Sequence, residues 1–167
     1  YRFISITFIR GIYITMLRIE KAAVLGAGTM GAAIAAHLTN AGIPTLLLDI
    51  APEEPTENEK AKGLTSESPQ VRNRVVREMF EAAKKLKPAP FMLDDNANLI
   101  ELGNFEDDFS RISECDLVIE AVVERLEIKH KVFEQVEKHR KPGSVIASNT
   151  SRIPIRSIPE TFPDDFK

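Results

Sequence analysis

Gly26-Ala27-Gly28-Thr29-Met30-Gly31 carries glycine at its first, third and sixth positions. It follows the apolar run Ala22-Ala23-Val24-Leu25 and opens the small, apolar stretch Met30 to Ala41. That strand–turn–helix setting is where this spacing cradles a pyrophosphate. Gly26 permits the tight turn, Gly28 lets the phosphates approach the backbone, and Gly31 allows close helix–strand packing. The helix then offers free N–H groups and a positive dipole end to the anion. Thr29 and Met30 fall in the same loop beside the ligand, with core packing as the other reading of Met30. Asp49 stands 18 residues after Gly31, at the end of a second apolar run, Thr45-Leu46-Leu47-Leu48. A carboxylate there accepts hydrogen bonds from the adenosine ribose hydroxyls and repels a 2′-phosphate. Ile50-Ala51-Pro52 follow without Arg or Lys, so NAD is expected rather than NADP. The plainer reading of Asp49 is a strand-end acid capping a turn.

Two further segments carry polar side chains where a ligand would need them. Ile119-Glu120-Ala121-Val122-Val123-Glu124 ends an apolar run, with Lys129 just beyond. Ala147-Ser148-Asn149-Thr150-Ser151 ends another with four small polar residues. In an open parallel sheet, ligands bind outside the carboxyl ends of the strands, so both segments are expected to line one cleft. An ordinary capping turn is the alternative for Ser148 to Ser151.

The elements that must position these groups read from the apolar pattern. Ala22 to Leu25 and Thr45 to Leu48 are continuously apolar, as strands covered on both faces should be. Leu117-Val118-Ile119 and Val145-Ile146-Ala147 read likewise, and Leu99 to Phe105 is a weaker strand. Helices are expected over Met30 to Ala41, which stops at Gly42, and over Leu126 to Arg140, which stops at Pro142-Gly143. Val71, Val75, Met79, Ala82 and Leu86 recur at helical spacing, which predicts one amphipathic helix from Val71 to Lys87. Ala51 to Gln70 holds three prolines among Glu, Thr and Ser and reads as a polar loop. Alternating strands and helices imply an α/β fold with a doubly wound parallel sheet of Rossmann type.

Composition narrows the function class. The chain has 167 residues, 43% of them hydrophobic and 28% charged, ordinary values for one globular domain. A net charge of −3 argues against a nucleic-acid binder. Cys115 is the single cysteine, which excludes an internal disulfide, and no metal site is expected. No apolar run is long enough for a membrane helix, and a cytoplasmic protein is expected.

Taken together, G-A-G-T-M-G, D-L-V-I-E-A-V-V-E and A-S-N-T-S in Lys21 to Asp49, Asp116 to Lys129 and Gly143 to Ser151 resemble the NAD-binding domain of 3-hydroxyacyl-CoA dehydrogenases. The polar loop after Asp49 and the Pro-Ala-Pro turn also resemble the long bacterial form, which is fused to an enoyl-CoA hydratase. The resemblance implies oxidation of 3-hydroxyacyl-CoA to 3-oxoacyl-CoA in fatty acid β-oxidation, with NAD as cofactor and a homodimeric intact protein. By matched position it implies that Met30 and Asp49 contact NAD, that Val122, Val123 and Glu124 line the cofactor cleft, and that Lys129 contacts the cofactor. Asn149 would sit near the nicotinamide, and Ser151 would hydrogen-bond the substrate hydroxyl. The family's base is a His, oriented by a Glu, in the strand after the Ser motif; the sequence given stops at Lys167, ahead of such a segment. The domain is therefore expected to lack its last strand and this piece to be inactive alone. His37, His130 and His139 fall within helices and read as surface or packing residues. A non-catalytic dinucleotide-binding module is the alternative, and a flavoprotein a third reading that the polar Ser148 to Ser151 turn disfavours.

Three features lie outside that reading. Tyr1 to Thr15 is rich in Phe, Ile and Tyr and has no acid. Arg10 and Gly11 interrupt the apolar core that a signal peptide would need. Residues 1–16 are therefore read as a non-native or mis-assigned extension of the domain 17–167, with an added strand and a targeting segment as the other readings. The helix Val71 to Lys87 holds six bases against Glu78 and Glu81, a face that is either solvated or attractive to CoA phosphates. Asp94 to Asp108 holds six acids and no base and is a candidate partner for that helix.

Overall fold

The computed structural model describes residues 5–9, 12–16, 18–154 and 157. Within the expected extension, β1 (Ser5–Ile9) and β2 (Ile12–Met16) pair antiparallel with each other and form a two-stranded sheet of their own. The main sheet has five parallel strands: β3 (Ala22–Leu25), β4 (Thr45–Asp49), β5 (Ile100–Asn104), β6 (Leu117–Glu120) and β7 (Val145–Ser148). Their order is β5-β4-β3-β6-β7, the first five places of the six-stranded dinucleotide-binding order. Among the described residues β7 pairs on one side only, with β6, and the expected parallel, doubly wound sheet is the one observed.

Both faces of the sheet are covered because alternate side chains of β3 and β4 enter different cores. Val24 and Leu47 pack with Ala35 of α1 (Thr29–Asn40) and with Val76. Ala23, Leu25, Leu46 and Leu48 pack on the opposite face against Phe109, Ile112 and the Val132, Phe133 and Val136 stripe of α5 (Leu126–His139). Every residue of β3 is fully buried. The chain leaves β3 toward β4 on one side and reaches β6 on the other, so the sheet reverses direction beside β3. A crevice forms at such a switch point, beyond the carboxyl ends of the strands.

The segment between β4 and β5 differs from expectation in two respects. The stretch read as a loop, Ala51 to Gln70, contains the short helix α2 (Glu57–Ala61). A capping box starts it: Glu59 N donates to Thr56 Oγ1, and Thr56 N donates to Glu59 Oε2 at 2.7 Å. The single helix expected from Val71 to Lys87 is two helices, α3 (Pro69–Arg72) and α4 (Arg74–Lys84). Asn73 breaks it at φ −99° and ψ 15°, where its Oδ1 accepts from Asn104 Nδ2 at the end of β5 (2.8 Å). The restart at Arg74 turns the buried face to Val76, Phe80 and Ala83, while Met79, Ala82 and Leu86 are exposed. The expected pairing of acidic segment and basic helix occurs through Arg72, which bonds Glu106 at 2.8 Å and Asp107 at 2.5 Å.

Candidate functional site

The glycine loop leaves β3 in a conformation that only glycine tolerates well: Gly26 has φ +104°. A Cβ on Gly26 would lie 2.7 Å from Ala121 O, so the turn is pressed against the end of β6. Gly31 is more constrained still, since a Cβ there would lie 1.8 Å from Gly26 O. Gly28 is the opposite case, with nothing within 4 Å of a Cβ position. Two of the three glycines therefore close the loop on the protein, and the third leaves open space. Gly28 is also the N-cap of the 12-residue α1, with no side chain capping it and no acid in the first turn. Its first N–H groups and the positive dipole end are thus left for an anion from outside. A pyrophosphate fits this cradle. Thr29 and Met30 stand in that first turn, and Met30 is 55% exposed, which excludes core packing.

Asp49 ties the loop to β4. Ala27 N donates to its Oδ2 at 2.6 Å and Ile50 N to its Oδ1 at 2.7 Å. The turn-capping role weighed from the sequence is therefore present. It does not exclude the ribose role, because each carboxylate oxygen has further acceptor capacity.

Across the crevice, the ends of β6 and β7 are joined by acids. Glu120 is fully buried. Its carboxylate accepts from Lys129 Nζ at 2.8 Å on both oxygens, from Val122 N at 2.8 Å and from Ser148 Oγ. Lys129, also fully buried, lies 3.5 Å from Glu124 Oε2. Glu124 in turn accepts from Ser151 N at 2.7 Å and from Thr150 Oγ1 at 2.9 Å. The Ser151 N–H, with the Thr150 hydroxyl and the Lys129 charge, pulls the Glu124 carboxyl from 4.5 down to about 2. Asn149 N donates to Glu120 O at 2.7 Å. Val122 is half-buried, and Val123, Asn149 and Ser151 are exposed.

The sequence-expected positions thus share the carboxyl edge of the sheet: Gly26 to Gly31 after β3, Asp49 after β4, Val122 to Glu124 after β6, and Asn149 and Ser151 after β7. Lys129 sits beneath this edge, its ammonium held by Glu120 and Glu124. Glu120 has no role of its own in the sequence reading, and Ser148 enters it only as one of the polar residues of the Ser148 to Ser151 turn. The signal was available, because a carboxylate inside a buried strand demands a partner. The histidines are placed as helix residues. His37 is exposed in the last turn of α1, His130 Nε2 lies 3.1 Å from Ser157 O, and His139 packs on Phe109. No described helix is long and apolar enough to cross a membrane.

Comparison with known proteins agrees with this geometry. A Bacillus subtilis protein named as a probable 3-hydroxyacyl-CoA dehydrogenase is 51% identical over 149 residues, which are 89% of this chain and 19% of that protein. A Deinococcus radiodurans protein of the same name is 46% identical over 152 residues, 90% of this chain and 40% of that one. The chain therefore spans less than half the length of these relatives. The crystal structure of 3-hydroxybutyryl-CoA dehydrogenase from Escherichia coli superposes with a TM-score of 0.58 at 26% identity, covering 89% of this chain and 28% of that one. Residues 21–167 match the family described as 3-hydroxyacyl-CoA dehydrogenase, NAD binding domain, and the chain belongs to that family.

Proposed function

We propose that the protein oxidises 3-hydroxyacyl-CoA to 3-oxoacyl-CoA in fatty acid β-oxidation, and that this chain supplies its cofactor-binding half. The observation that carries the reading is the bond from Ser151 N to Glu124, which fixes a hydroxyl-bearing turn on the cleft side opposite the glycine loop. NAD⁺, when bound, supplies the hydride acceptor. The chain's own residues bind and orient. Gly28 and the first turn of α1 receive the pyrophosphate, Asp49 the adenosine ribose, and Val122, Val123 and Glu124 the nicotinamide side. Ser151 Oγ lies 3.4 Å from Glu124 Oε1, a weak contact that leaves the hydroxyl able to turn toward a substrate oxygen and hold it. The hydroxyl proton needs a general base. The family resemblance implies a histidine for this role; His37, His130 and His139 lie on helices and match no such position, so we assign the base to a histidine outside residues 1–167. A homodimeric, cytoplasmic enzyme completes the reading.

The test follows NADH formation from 3-hydroxyacyl-CoA by the full-length protein and by its Ser151→Ala variant. The expected result is turnover by the former and a kcat lower by about 10-fold or more in the latter, with NADH affinity nearly unchanged. NADH binding without turnover of any 3-hydroxyacyl-CoA would leave the non-catalytic dinucleotide-binding module as the function. The 167-residue chain alone is expected to bind NADH and to show no turnover.

A further inference from the structure

We propose that Glu120, which never faces the cleft, is the positioning residue for the nicotinamide side of the cofactor site. The inference rests on the dinucleotide-binding reading and adds to it a division of labour. Glu120 is the last residue of β6 and is fully buried, so it acts only through what it holds. It holds three segments. Its Oε1 accepts from Val122 N at 2.8 Å and fixes the turn that carries Val122, Val123 and Glu124. Its Oε2 accepts from Ser148 Oγ, and its backbone oxygen accepts from Asn149 N at 2.7 Å, which together fix the start of the turn that carries Asn149 and Ser151. Both carboxylate oxygens seat Lys129 Nζ at 2.8 Å, on the second turn of α5.

The seating of Lys129 has a consequence at the cleft surface. An ammonium carries three N–H groups. Two point at Glu120, and the charge stays within 3.5 Å of Glu124 Oε2. Glu124 then receives the Ser151 N–H and the Thr150 hydroxyl. A buried ammonium cannot retreat to solvent, so losing the Glu120 charge obliges Lys129 to move toward the remaining acid, Glu124. That movement displaces the acceptor on which the Thr150-Ser151 turn rests. The adenosine side is pinned by different bonds, Gly26 N to Leu48 O at 2.7 Å and Ala27 N to Asp49 Oδ2 at 2.6 Å. Glu120 takes part in neither.

The two sides can be probed separately. ADP reaches the glycine loop and Asp49 but lacks the nicotinamide riboside, whereas NADH spans both sides. The experiment measures dissociation constants of NADH and ADP, with melting temperature, for the full chain and for Glu120→Gln and Ser148→Ala. For Glu120→Gln we expect NADH affinity to fall about tenfold, in keeping with loss of a charge-assisted contact, and ADP affinity to stay within about twofold. Ser148→Ala leaves no buried charge unpaired, so it should melt near the parent temperature and lose NADH affinity about threefold with ADP unchanged. If Glu120→Gln does not fold, Ser148→Ala decides the matter alone. Equal losses for the two ligands would show a merely structural role and overturn the proposal, as would unchanged NADH binding in a folded variant. A parent chain that binds neither ligand would overturn the dinucleotide reading itself, and the proposal with it.

Discussion

The backbone N–H of Ser151 donates to Oε1 of Glu124 at 2.7 Å, joining the turn after β7 to the loop after β6 across the carboxyl edge of the sheet. This bond is the main reason the Glu124 carboxyl falls from 4.5 to about 2. A carboxyl whose folded value lies below its unfolded one stabilises the fold above the unfolded value and loses that contribution as pH falls through the folded one. The window here runs from pH 4.5 down to about 2. A carboxyl-detected NMR titration should find the Glu124 midpoint near 2, and Glu124→Gln should remove the corresponding part of the acid limb of the stability curve. A Glu124 midpoint at its ordinary value would show that the turn does not rest on this acid.

Gly28 and Gly31 stand three residues apart and should respond oppositely to the same change. An alanine methyl at 31 would lie 1.8 Å from the Gly26 carbonyl oxygen, and backbone must shift to admit it. Overpacking of this kind costs about 3 kcal/mol, which for a domain of this size lowers the melting temperature by about 6–12 °C. An alanine methyl at 28 meets nothing within 4 Å, so the melting temperature should hold within the roughly 0.5 kcal/mol of a surface change. NADH affinity should nonetheless fall about tenfold or more, because the methyl occupies the space that lets phosphates reach the backbone. Thermal melts and NADH titrations of Gly28→Ala and Gly31→Ala test the contrast. Loss of stability in Gly28→Ala with intact NADH binding would reverse these assignments.

Four of the five strands of the main sheet were legible in the sequence because they are short apolar runs, Ala22 to Leu25 and Thr45 to Leu48 above all, and because the glycine spacing locates the first strand end; β5, Ile-Glu-Leu-Gly-Asn, gives only a weaker signal. The helix break at Asn73 was not legible. Val75, Met79, Ala82 and Leu86 make an acceptable helical stripe, and only the bond from Asn104, 31 residues away, shows why the chain restarts with Val76, Phe80 and Ala83 inside. The site residues were legible as motif positions, but the connections among them were not. Glu124, Thr150 and Ser151 meet only when β6 and β7 lie side by side. The buried pair of Glu120 and Lys129 spans a loop whose path no local pattern dictates.

Cys115 offers an independent check on the core between β6 and α5. Its side chain is fully buried, and desolvation is the chief cause that pushes the thiol from 9.0 up to about 11. The thiolate is the reactive form, so two pH units correspond to a native reaction rate with a thiol reagent about a hundredfold below that of an unshifted thiol. At pH near 8 the folded chain should react slowly and the denatured chain at once. Equal rates in the two states would place Cys115 outside the core.

Asp49 holds two backbone N–H groups, and we propose that the same carboxylate selects the cofactor. Its carboxylate accepts from Ala27 N and Ile50 N, so Asp49→Ala leaves two backbone donors without their partner, at a cost of about 1–3 kcal/mol each if water cannot reach them. Asp49→Asn keeps one acceptor oxygen and should fall between the alanine variant and the parent in melting temperature. The discrimination between cofactors depends on charge rather than on shape. The parent carboxylate repels a 2′-phosphate, and no ion pair to it occurs among the described residues that would cancel its charge. Titration by NADH fluorescence should therefore show the parent binding NADH more tightly than NADPH, by about tenfold or more for a like-charge approach in the crevice. Asp49→Asn should weaken NADH and bring the two affinities together, while a like-sized change at exposed Ile50, such as Ile50→Leu, should leave the ratio alone. Raising the salt concentration should narrow the preference of the parent and leave that of Asp49→Asn unchanged, since screening acts on the charge. Equal NADH and NADPH affinities in the parent chain would remove Asp49 from cofactor selection and leave it only its bonds to Ala27 and Ile50.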